Sequence, residues 1–547
     1  MSILLIVLFL PLAGFFLLLA LPKDSAAASP LARAISLLTF VLSLGLIGAV
    51  YKLPVGFSNV VDIPWVDLAG IHFHLGVDGI SLWLIILTTL LVPVGVWISQ
   101  ELIADRLKTF LALILLFEFG LIGVFAAVDL FVFYVFWEVA LVPMYLMVGG
   151  WGGAKRMYAS VKFFVITMLG SVMMLVGIIY LYTRADTFDY AQILSALNSG
   201  RLVLSPDEQL FLFLAFFLAF AIKVPIVPLH TWQPLTYSEA PAPATFLLAA
   251  GMSKMGAYGL LRYCLPLFPS AAHRCASWIA VLAIIGIVYG ALIAVVQPNI
   301  KRLIAYSSIS HLGFVVLGIF TFEQLGVDGA VYQMVAHGIS TGALFVLAGY
   351  MEKRRGSMEI ADFGGLATPA PQLASVFMIA TLASIGLPLL SNFVGEYLVL
   401  QGAAIANFTW AAWAALGVIL SAAYMLWMYQ RTFQGKAADG NATFADLTPG
   451  EWAPLVLLLI PMVWLGTYTQ TFLPSINAAD SHLLEQTRLT AEFRVQNRKQ
   501  GIDFDGPVDL MLDPSTKRLT RVVTFDGDRL RLPTDVPFDY EGVGERR

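Results

Sequence analysis

Residues 211–230 read FLFLAFFLAFAIKVPIVPLH, a stretch that is apolar enough and long enough to cross a lipid bilayer. It nevertheless carries Lys223 near its middle, followed by Pro225 and Pro228. A lysine at the centre of a membrane helix costs about 3 kcal/mol, and a proline inside a helix removes a backbone hydrogen bond. The stretch therefore predicts a span that breaks beside a buried charge, an arrangement with which transporters build sites at mid-membrane.

The composition of the chain is that of a membrane protein. Its 547 residues are 59% hydrophobic and only 12% charged, and the mean hydropathy is +0.81, which excludes an ordinary soluble domain. The net charge of −4 gives no indication of nucleic-acid binding. We expect Cys264 and Cys275 to be unpaired packing thiols, and no CxxC pattern indicates a zinc or iron–sulfur site.

Hydropathy predicts an all-α polytopic membrane protein with about 14 spans of roughly 20 residues each. We interpret the first as a retained span and not a cleaved signal peptide, because no basic segment precedes its long apolar run. The predicted spans lie near residues 2–21, 32–51, 79–99, 109–127, 129–149, 158–182, 209–228, 242–263, 277–296, 301–320, 328–350, 374–402, 408–431 and 452–472.

Lysine and arginine are concentrated in the odd-numbered connections between spans, which the positive-inside rule makes cytoplasmic. This predicts a multi-pass protein of a bacterial inner (plasma) membrane whose N-terminus and C-terminal tail are both periplasmic. The basic residues of the odd-numbered connections are Lys23, Arg33, Arg106, Lys108, Lys155, Arg156, Lys301, Arg302, Lys353, Arg354, Arg355, Arg431 and Lys436. Those of the even-numbered connections are Lys52, Arg184, Arg201, Arg262 and Arg274.

The tail, residues 474–547, is charged where the rest of the chain is apolar. Residues 521–531 read RVVTFDGDRLR, and the Asp526-Gly527 pair at their centre predicts the turn of a β-hairpin. Two alternatives are open for the tail, namely a small periplasmic ribbon lying along a partner, and a disordered segment.

A second interruption of the apolar pattern matches the first. Five spans after Lys223 and Pro225, the twelfth predicted span contains GLP at residues 386–388 and then Glu396. Matching interruptions in two halves of a chain indicate an internal repeat with a site in each half.

Several ionisable residues are predicted to be buried in the membrane. Glu138 is the only charge in the fifth span, and we expect it to pair with Lys223, since each offsets part of the other's desolvation. The alternative for Glu138 is a protonated structural carboxyl. Lys254 lies in the middle of the eighth span among small residues that permit close helix approach and room for water, which favours a proton relay over a buried structural amine.

His311 and His337 lie within predicted spans, between Lys254 and Glu396 in sequence. A buried histidine is often a packing residue, but an imidazole can also accept a proton on one nitrogen and release one from the other. Glu396 lies too deep in its apolar run for a helix-end carboxylate, and we expect it to end the relay. No carboxylate or cysteine stands at ligand spacing to either histidine, so no metal site is predicted. For Lys162, relay and snorkelling are both open.

Four motifs carry a resemblance to a known family. They are residues 136–145 (FWEVALVPMY), 223–232 (KVPIVPLHTW), 391–396 (SNFVGE) and the more widely shared 76–82 (GVDGISL). Over about residues 1–475 the chain resembles the antiporter-like membrane subunits of respiratory complex I, the proton-translocating NADH:quinone oxidoreductase, and most closely the M type. The L- and N-type relatives typically place a lysine where this chain has Glu396.

The resemblance implies an arrangement of 14 helices, in which spans 4–8 and 9–13 form two inverted five-helix repeats and spans 7 and 12 are broken. The implied parts are N-terminal helices in residues 1–108, the two repeats in 109–264 and 277–433, a last helix in 450–473 and the extramembrane tail in 474–547.

The resemblance also implies a function, in which this chain moves one proton per turnover, driven by quinone reduction elsewhere in the complex. Flavin, iron–sulfur clusters, NADH and quinone would bind partner subunits, so this chain would hold no redox centre and no cofactor, with room for bound lipid. Its partners would be other complex I membrane subunits in the lipid bilayer, with this chain between the L-type and N-type subunits. The resemblance implies that Lys223 and Glu396 lie on broken helices and that Glu138 pairs with Lys223. Together with the buried residues identified above, the expected relay residues are Glu138, Lys223, Lys254, His311, His337 and Glu396.

The chain departs from the family in two places. Relatives usually continue Trp-Leu-Pro-Asp-Ala-His after the seventh span, whereas residues 232–237 read WQPLTY, and the charged tail is longer than usual. The alternative functions are a subunit of an Mrp-type cation/proton antiporter, a membrane subunit of a related hydrogenase, and a passive scaffold. Glu396 and the neighbourhood of Glu138 favour the complex I subunit over these.

Overall fold

The computed structural model describes residues 2–23, 25–53, 55–66, 70–437, 440–487, 490–497, 502–512, 519–524 and 529–530. Most of these residues are helical. In chain order the helices are α1 (Ile3–Ala20), α2 (Ala28–Leu44), α3 (Ile47–Lys52), α4 (Gly79–Leu102), α5 (Leu107–Ala126), α6 (Leu130–Trp151), α7 (Arg156–Ala185), α8 (Tyr190–Asn198), α9 (Pro206–Lys223), α10 (Gln233–Glu239), α11 (Ala242–Leu247), α12 (Ser253–Gly259), α13 (Leu265–Leu267), α14 (Pro269–Val295), α15 (Ile300–Ile319), α16 (Gln324–Arg355), α17 (Pro371–Ile385), α18 (Ser391–Ala406), α19 (Phe408–Phe433), α20 (Pro449–Thr467) and α21 (Leu473–Gln486).

Within this part of the chain, 11 helical segments are long and apolar enough to cross a membrane. They are α1, α2 joined to α3, α4 to α7, α14 to α16, α19 and α20. The three other predicted spans fall on interrupted helices, namely α9, the segment from α11 to α13, and α17 followed by α18. The predicted all-α membrane fold is confirmed, and the interruptions explain why three spans are not single long helices.

The predicted break beside Lys223 is present, since α9 ends at that residue. Pro225 has no N–H, so the Ala221 carbonyl accepts a hydrogen bond from the Ile226 N–H instead, at 2.7 Å. The carbonyl of Ile222 accepts from the indole Nε1 of Trp232, at 2.9 Å. Carbonyl groups freed at the break are therefore satisfied within the protein, as membrane burial requires.

The second predicted break lies between α17 and α18. α17 ends at Ile385 and is capped by Gly386, whose φ of 81° is in the left-handed region that glycine adopts without a steric penalty. α18 begins at Ser391, which places Glu396 in the second turn of that helix, close to the break.

The eighth span is interrupted in a way that the sequence did not predict. Two π-helical turns, Leu248–Met252 and Leu260–Cys264, flank the short helix α12 that carries Lys254. A π turn widens the backbone spacing and releases carbonyl groups from the regular ladder, and such turns are common at functional sites.

α16 lies at the centre of the bundle, and every one of its residues from Gly326 to Met351 is buried. It packs against α15, α18, α11 and α4. Its approach to α18 depends on glycine, because a Cβ atom on Gly402 would lie 2.3 Å from the backbone nitrogen of Gly326. The two helices therefore meet backbone to backbone at this crossing.

A two-stranded antiparallel hairpin precedes α4 and was missed by the all-helical prediction. It consists of β1 (Ser58–Val66) and β2 (Ile71–Val77). Asp78, directly after β2, accepts hydrogen bonds from the backbone of Ile80 and Ser81 and so starts α4 with a capping box. The GVDGISL motif is thus the junction between the hairpin and a membrane helix.

The first part of the predicted tail is helical and packed, since α21 lies against α4 and α16. Beyond it, β3 (Thr490–Asn497), β4 (Ile502–Leu512), β5 (Leu519–Thr524) and β6 (Arg529–Leu530) form a sheet in that order. The antiparallel pairing of β5 with β6 confirms the predicted hairpin. Its predicted turn, Asp526-Gly527, lies outside the described residues.

The two cysteines, Cys264 and Cys275, are both free and buried, which confirms the prediction of unpaired packing thiols.

Replacement of Gly402 by alanine should destabilise the bundle. The added Cβ would force α18 away from α16, and overpacking of this kind costs about 1–3 kcal/mol. The measurement is the thermal unfolding of the detergent-extracted protein. Gly48→Ala is the matched control, because a Cβ at Gly48 meets nothing within 4 Å. Equal unfolding temperatures for the two variants would contradict the backbone crossing.

Candidate functional site

Lys223 is buried at the end of α9, and no group among the described residues forms a hydrogen bond with its Nζ atom. The ammonium lies 5.0 Å from the ring centroid of Trp137 and 5.9 Å from that of Phe163, both within cation–π range. Aromatic faces therefore take the place of a polar partner for this charge.

Glu138 follows Trp137 in α6 and is only partly buried. Its carboxylate acts on the Lys223 ammonium electrostatically, but it makes no hydrogen bond to Nζ. The predicted close ion pair is therefore corrected to a through-space interaction. The reason is the Trp137 ring, which takes up one side of the ammonium while Glu138 projects from the next position of the helix.

Lys254 and His337 form the first direct contact of the predicted relay. The Lys254 Nζ lies 2.8 Å from Nδ1 of His337 and donates to the Ala249 carbonyl at 2.7 Å. The carbonyl of Ala249 belongs to the first π turn, so the irregular backbone supplies a hydrogen-bond acceptor for the buried amine. Both side chains are fully buried, and Nε2 of His337 has no hydrogen-bond partner within the described ranges.

His311 and Glu396 form the second direct contact. Nδ1 of His311, on α15, lies 2.7 Å from Oε1 of Glu396, on α18. The same carboxylate oxygen accepts a hydrogen bond from Nε2 of Gln333 at 2.9 Å. Nε2 of His311 lies 3.4 Å from the hydroxyl of Ser384, in the last turn before the break. The break therefore brings the end of α17 and the start of α18 to one imidazole.

The two contacts are joined by the histidines, whose ring centroids lie 5.8 Å apart. The structure thus brings together four of the six predicted residues, and the helices α12, α16, α15 and α18 each contribute one. Lys223 and Glu138 form a separate group, since no hydrogen bond of the described residues reaches Nζ of Lys223. The four-residue series is Lys254, His337, His311 and Glu396.

Such a series can hold and transfer protons. Where Nδ1 of His337 accepts from the Lys254 ammonium, the ring proton resides on Nε2. An imidazole that takes a proton on one nitrogen can release the one on the other, so each histidine can act in both directions. The Glu396 carboxylate, with two donors on one oxygen, is the acceptor at the far end.

Lys162, for which relay and snorkelling both stay open, makes one hydrogen bond to the backbone. Its Nζ donates to the carbonyl of Thr231 at 3.0 Å, inside the irregular segment that follows α9. The lysine therefore helps to hold the break beside Lys223 and lies only partly buried.

Two buried polar residues were missed by sequence reasoning, and one of them, Gln333, contacts the relay. Gln333 lies one helical turn before His337 on α16, a spacing visible in the sequence, but an amide in an apolar helix gave no functional signal. The other is Glu118, in α5, which is fully buried and whose carboxylate oxygens have no hydrogen-bond partner in the part of the chain that the structure describes. As a charged residue at mid-span, Glu118 carried the same signal as Glu138.

The segment that departs from the family forms α10 and is packed, not open. Gln233 is fully buried, and Tyr237 is 1% exposed with its ring against Phe345 on α16. The aromatic residue at this position thus ties α10 to the central helix.

The chain matches, over residues 127–422, the protein family described as NADH:quinone oxidoreductase/Mrp antiporter, TM. It is 40% identical over 498 residues to NADH-quinone oxidoreductase subunit M of Rhodobacter capsulatus, a match that covers 88% of this chain and 96% of that relative. These findings confirm the resemblance to the M type.

Two solved structures show the same arrangement. A chain of respiratory complex I from Thermus thermophilus with bound NADH is 34% identical with a TM-score of 0.81, over 88% of this chain and 99% of that one. A chain of the Mrp complex from Dietzia sp. DQ12-45-1b, at 22% identity and a TM-score of 0.78 over 89% and 99%, is a likeness of fold alone. The match across nearly the full length of its relative at 40% identity decides the family: the chain belongs to the subunit M family of NADH-quinone oxidoreductases.

Proposed function

We propose that this chain is a proton-translocating subunit of the membrane arm of NADH:quinone oxidoreductase, a translocase. The observation that carries the proposal is the buried series from Lys254 through His337 and His311 to Glu396. Membership of the subunit M family supports the complex I assignment. Ionisable groups at bilayer depth are costly, so a series of four in contact is best explained by a task that needs protons to be held there.

The first step of the proposed mechanism takes place at Lys223. Its ammonium has an aromatic face but no hydrogen-bonding partner, so its charge depends on the position of Glu138. Approach of the carboxylate would stabilise the ammonium, and withdrawal would favour loss of its proton. Redox-driven motion in the complex could therefore load and unload this site by a small shift of α6 or α9.

The second step passes the proton across the central helix. Lys254 delivers a proton to His337, the proton crosses to His311, and Glu396 receives it. Two steps of the path lack a direct hydrogen bond among the described residues: the one from Lys223 to Lys254 and the one between the two imidazole rings. One water molecule or a rotation of either ring would close the ring-to-ring step. α16 carries His337 at the middle of this path.

The assembly that follows from the proposal has this chain between the L-type and N-type subunits of complex I in a bacterial inner membrane. Its N-terminus and tail lie in the periplasm, as the distribution of basic residues indicates. Residues 109–264 and 277–433 are two inverted repeats, and each contains a helix that breaks beside an ionisable residue, Lys223 in the first and Glu396 in the second. Flavin, iron–sulfur clusters and quinone belong to partner subunits, and bound lipid is compatible with the apolar outer surface.

Lys223→Ala should abolish proton pumping by the assembled complex. Removal of the ammonium takes away the group whose charge state Glu138 controls, so we expect no measurable pH gradient. The measurement is NADH-driven acidification of reconstituted vesicles, with NADH oxidation by an artificial acceptor as a check on assembly. Lys52→Ala, at an exposed position of α3, is the control. Pumping that persists in both Lys223→Ala and Glu138→Ala would favour the scaffold function.

Glu396→Gln should also abolish pumping while leaving the bundle intact. The amide can keep hydrogen bonds to Gln333 and His311 but cannot take up the transferred proton. We expect at least a tenfold lower rate of acidification in vesicles, with a normal amount of assembled complex. A variant that pumps at the wild-type rate would show that Glu396 is a packing residue.

A further inference from the structure

A second group of buried acids lies outside the relay, where α21 packs against α16 and α4. Asp480 on α21 is 0% exposed, and Asp328 near the start of α16 is 4% exposed. The two carboxyl groups lie within hydrogen-bonding reach of each other. Two buried ionised carboxylates in contact would repel strongly, which requires an explanation.

The hydrogen-bond donors around the two acids are unevenly distributed. Asp328 accepts from Nε2 of Gln324 and from Nδ2 of Asn477, each at 2.7 Å, so both of its oxygens are engaged. No N–H or O–H group among the described residues donates to either oxygen of Asp480. A fully buried carboxylate without any donor is expensive, whereas a protonated carboxyl can donate to its neighbour.

The charged groups that face Asp480 do not stabilise its ionised form. They are Asp328 on α16, Asp78 at the start of α4, and Arg262 in the π turn after α12. Arg262 is committed to Asp78, with which it forms a buried ion pair. The other elements packed on α21, α13 and the turn at residues 469–471, contain no titratable side chain. Burial, together with the nearby Asp328, raises the pKa of Asp480 well above its ordinary value.

We propose that Asp328 and Asp480 hold one proton between them and form a further proton-binding site, from which protons leave the relay at the end of α16 opposite Lys353. The inference deepens the proposed function and rests on it. α16 itself connects the two sites, because Gln333, which donates to Glu396, follows Asp328 by five residues. At 1.5 Å of rise per residue this separation is about 7.5 Å along the helix, a distance that one or two water molecules would bridge.

A shared proton between Asp328 and Asp480 explains the close packing of α21 against the start of α4. A Cβ atom on Gly79 would lie 1.8 Å from the carbonyl oxygen of Ser475, so the helix touches the start of α4 directly. Trp83 on α4 donates to the hydroxyl of Ser475 at 2.9 Å. These contacts exclude solvent from Asp480 and hold its carboxyl against Asp328, which is the geometry that a shared proton needs.

The test is an infrared difference measurement on the assembled complex, made between wild type and Asp480→Asn. The asparagine keeps a donor towards Asp328 but has no titratable proton, so the C=O stretching band of one protonated carboxyl should be lost near neutral pH. Asp328→Asn should shift the same band in frequency, because Asp480 stays fully buried and protonated but its proton then meets an amide and not a carboxylate. Glu485→Gln, at an exposed position of α21, is the matched control and should leave the band unchanged.

Proton pumping in vesicles is the second measurement. Both aspartate variants should acidify vesicles at least fivefold more slowly than wild type, with assembly unchanged. An infrared band that persists in both variants would overturn the shared proton, and pumping at the wild-type rate with the band lost would overturn the transfer role. Glu396→Gln separates this inference from the proposed function: if that variant fails to pump while the aspartate variants pump normally, only the acid pair is refuted, whereas normal pumping by all three refutes the relay.

Discussion

The structure depends on the cost of holding a charge where no water can reach it. An ammonium or carboxylate at bilayer depth must find a carbonyl, an imidazole, an aromatic face or an opposite charge, because the surrounding lipid offers nothing. Lys254 meets this requirement with a backbone carbonyl and an imidazole, and Lys223 meets it with the rings of two aromatic residues.

Helix interruptions supply what a regular helix cannot. An uninterrupted membrane helix uses its backbone carbonyls internally and leaves none for side chains. The π turn before α12 frees the carbonyl that receives Lys254, and the break at Gly386 sets Ser384 and Glu396 on two sides of His311. The break after Lys223 is in turn closed by the indole of Trp232. Lys223, Lys254 and Glu396 thus each lie beside a helix interruption.

Features that are marked locally by a proline, a glycine or a charged residue could be predicted from the sequence. The breaks at Pro225 and Gly386 and the burial of Lys223, Lys254 and Glu396 could be predicted, because each violates the apolar pattern around it. Contacts between distant residues could not, since 83 positions separate Lys254 from His337 and no local pattern encodes that distance.

The errors have physical causes too. The Glu138–Lys223 ion pair was expected from charge alone, whereas packing placed the Trp137 ring at the ammonium. The hairpin of β1 and β2 was missed because its stability comes from pairing between the two strands. Local composition is only a weak indicator of such pairing. Asp480 was assigned to a charged tail, and only the packing of α21 against α4 and α16 reveals that it is buried.

The complete burial of α16 has a consequence for how the chain is made. With Asp328, Gln333 and His337 in one helix, its most apolar window reaches a mean hydropathy of only 1.4, against 3.0 for α1. A helix of this composition gains little from lipid. Of the neighbours that cover it, α4, α11 and α15 are synthesised before it, and α18, α20 and α21 after it. During biogenesis, α16 is therefore only partly inserted or shielded at first. It is fully covered only after the C-terminal third of the chain has been synthesised and holds it in the bilayer.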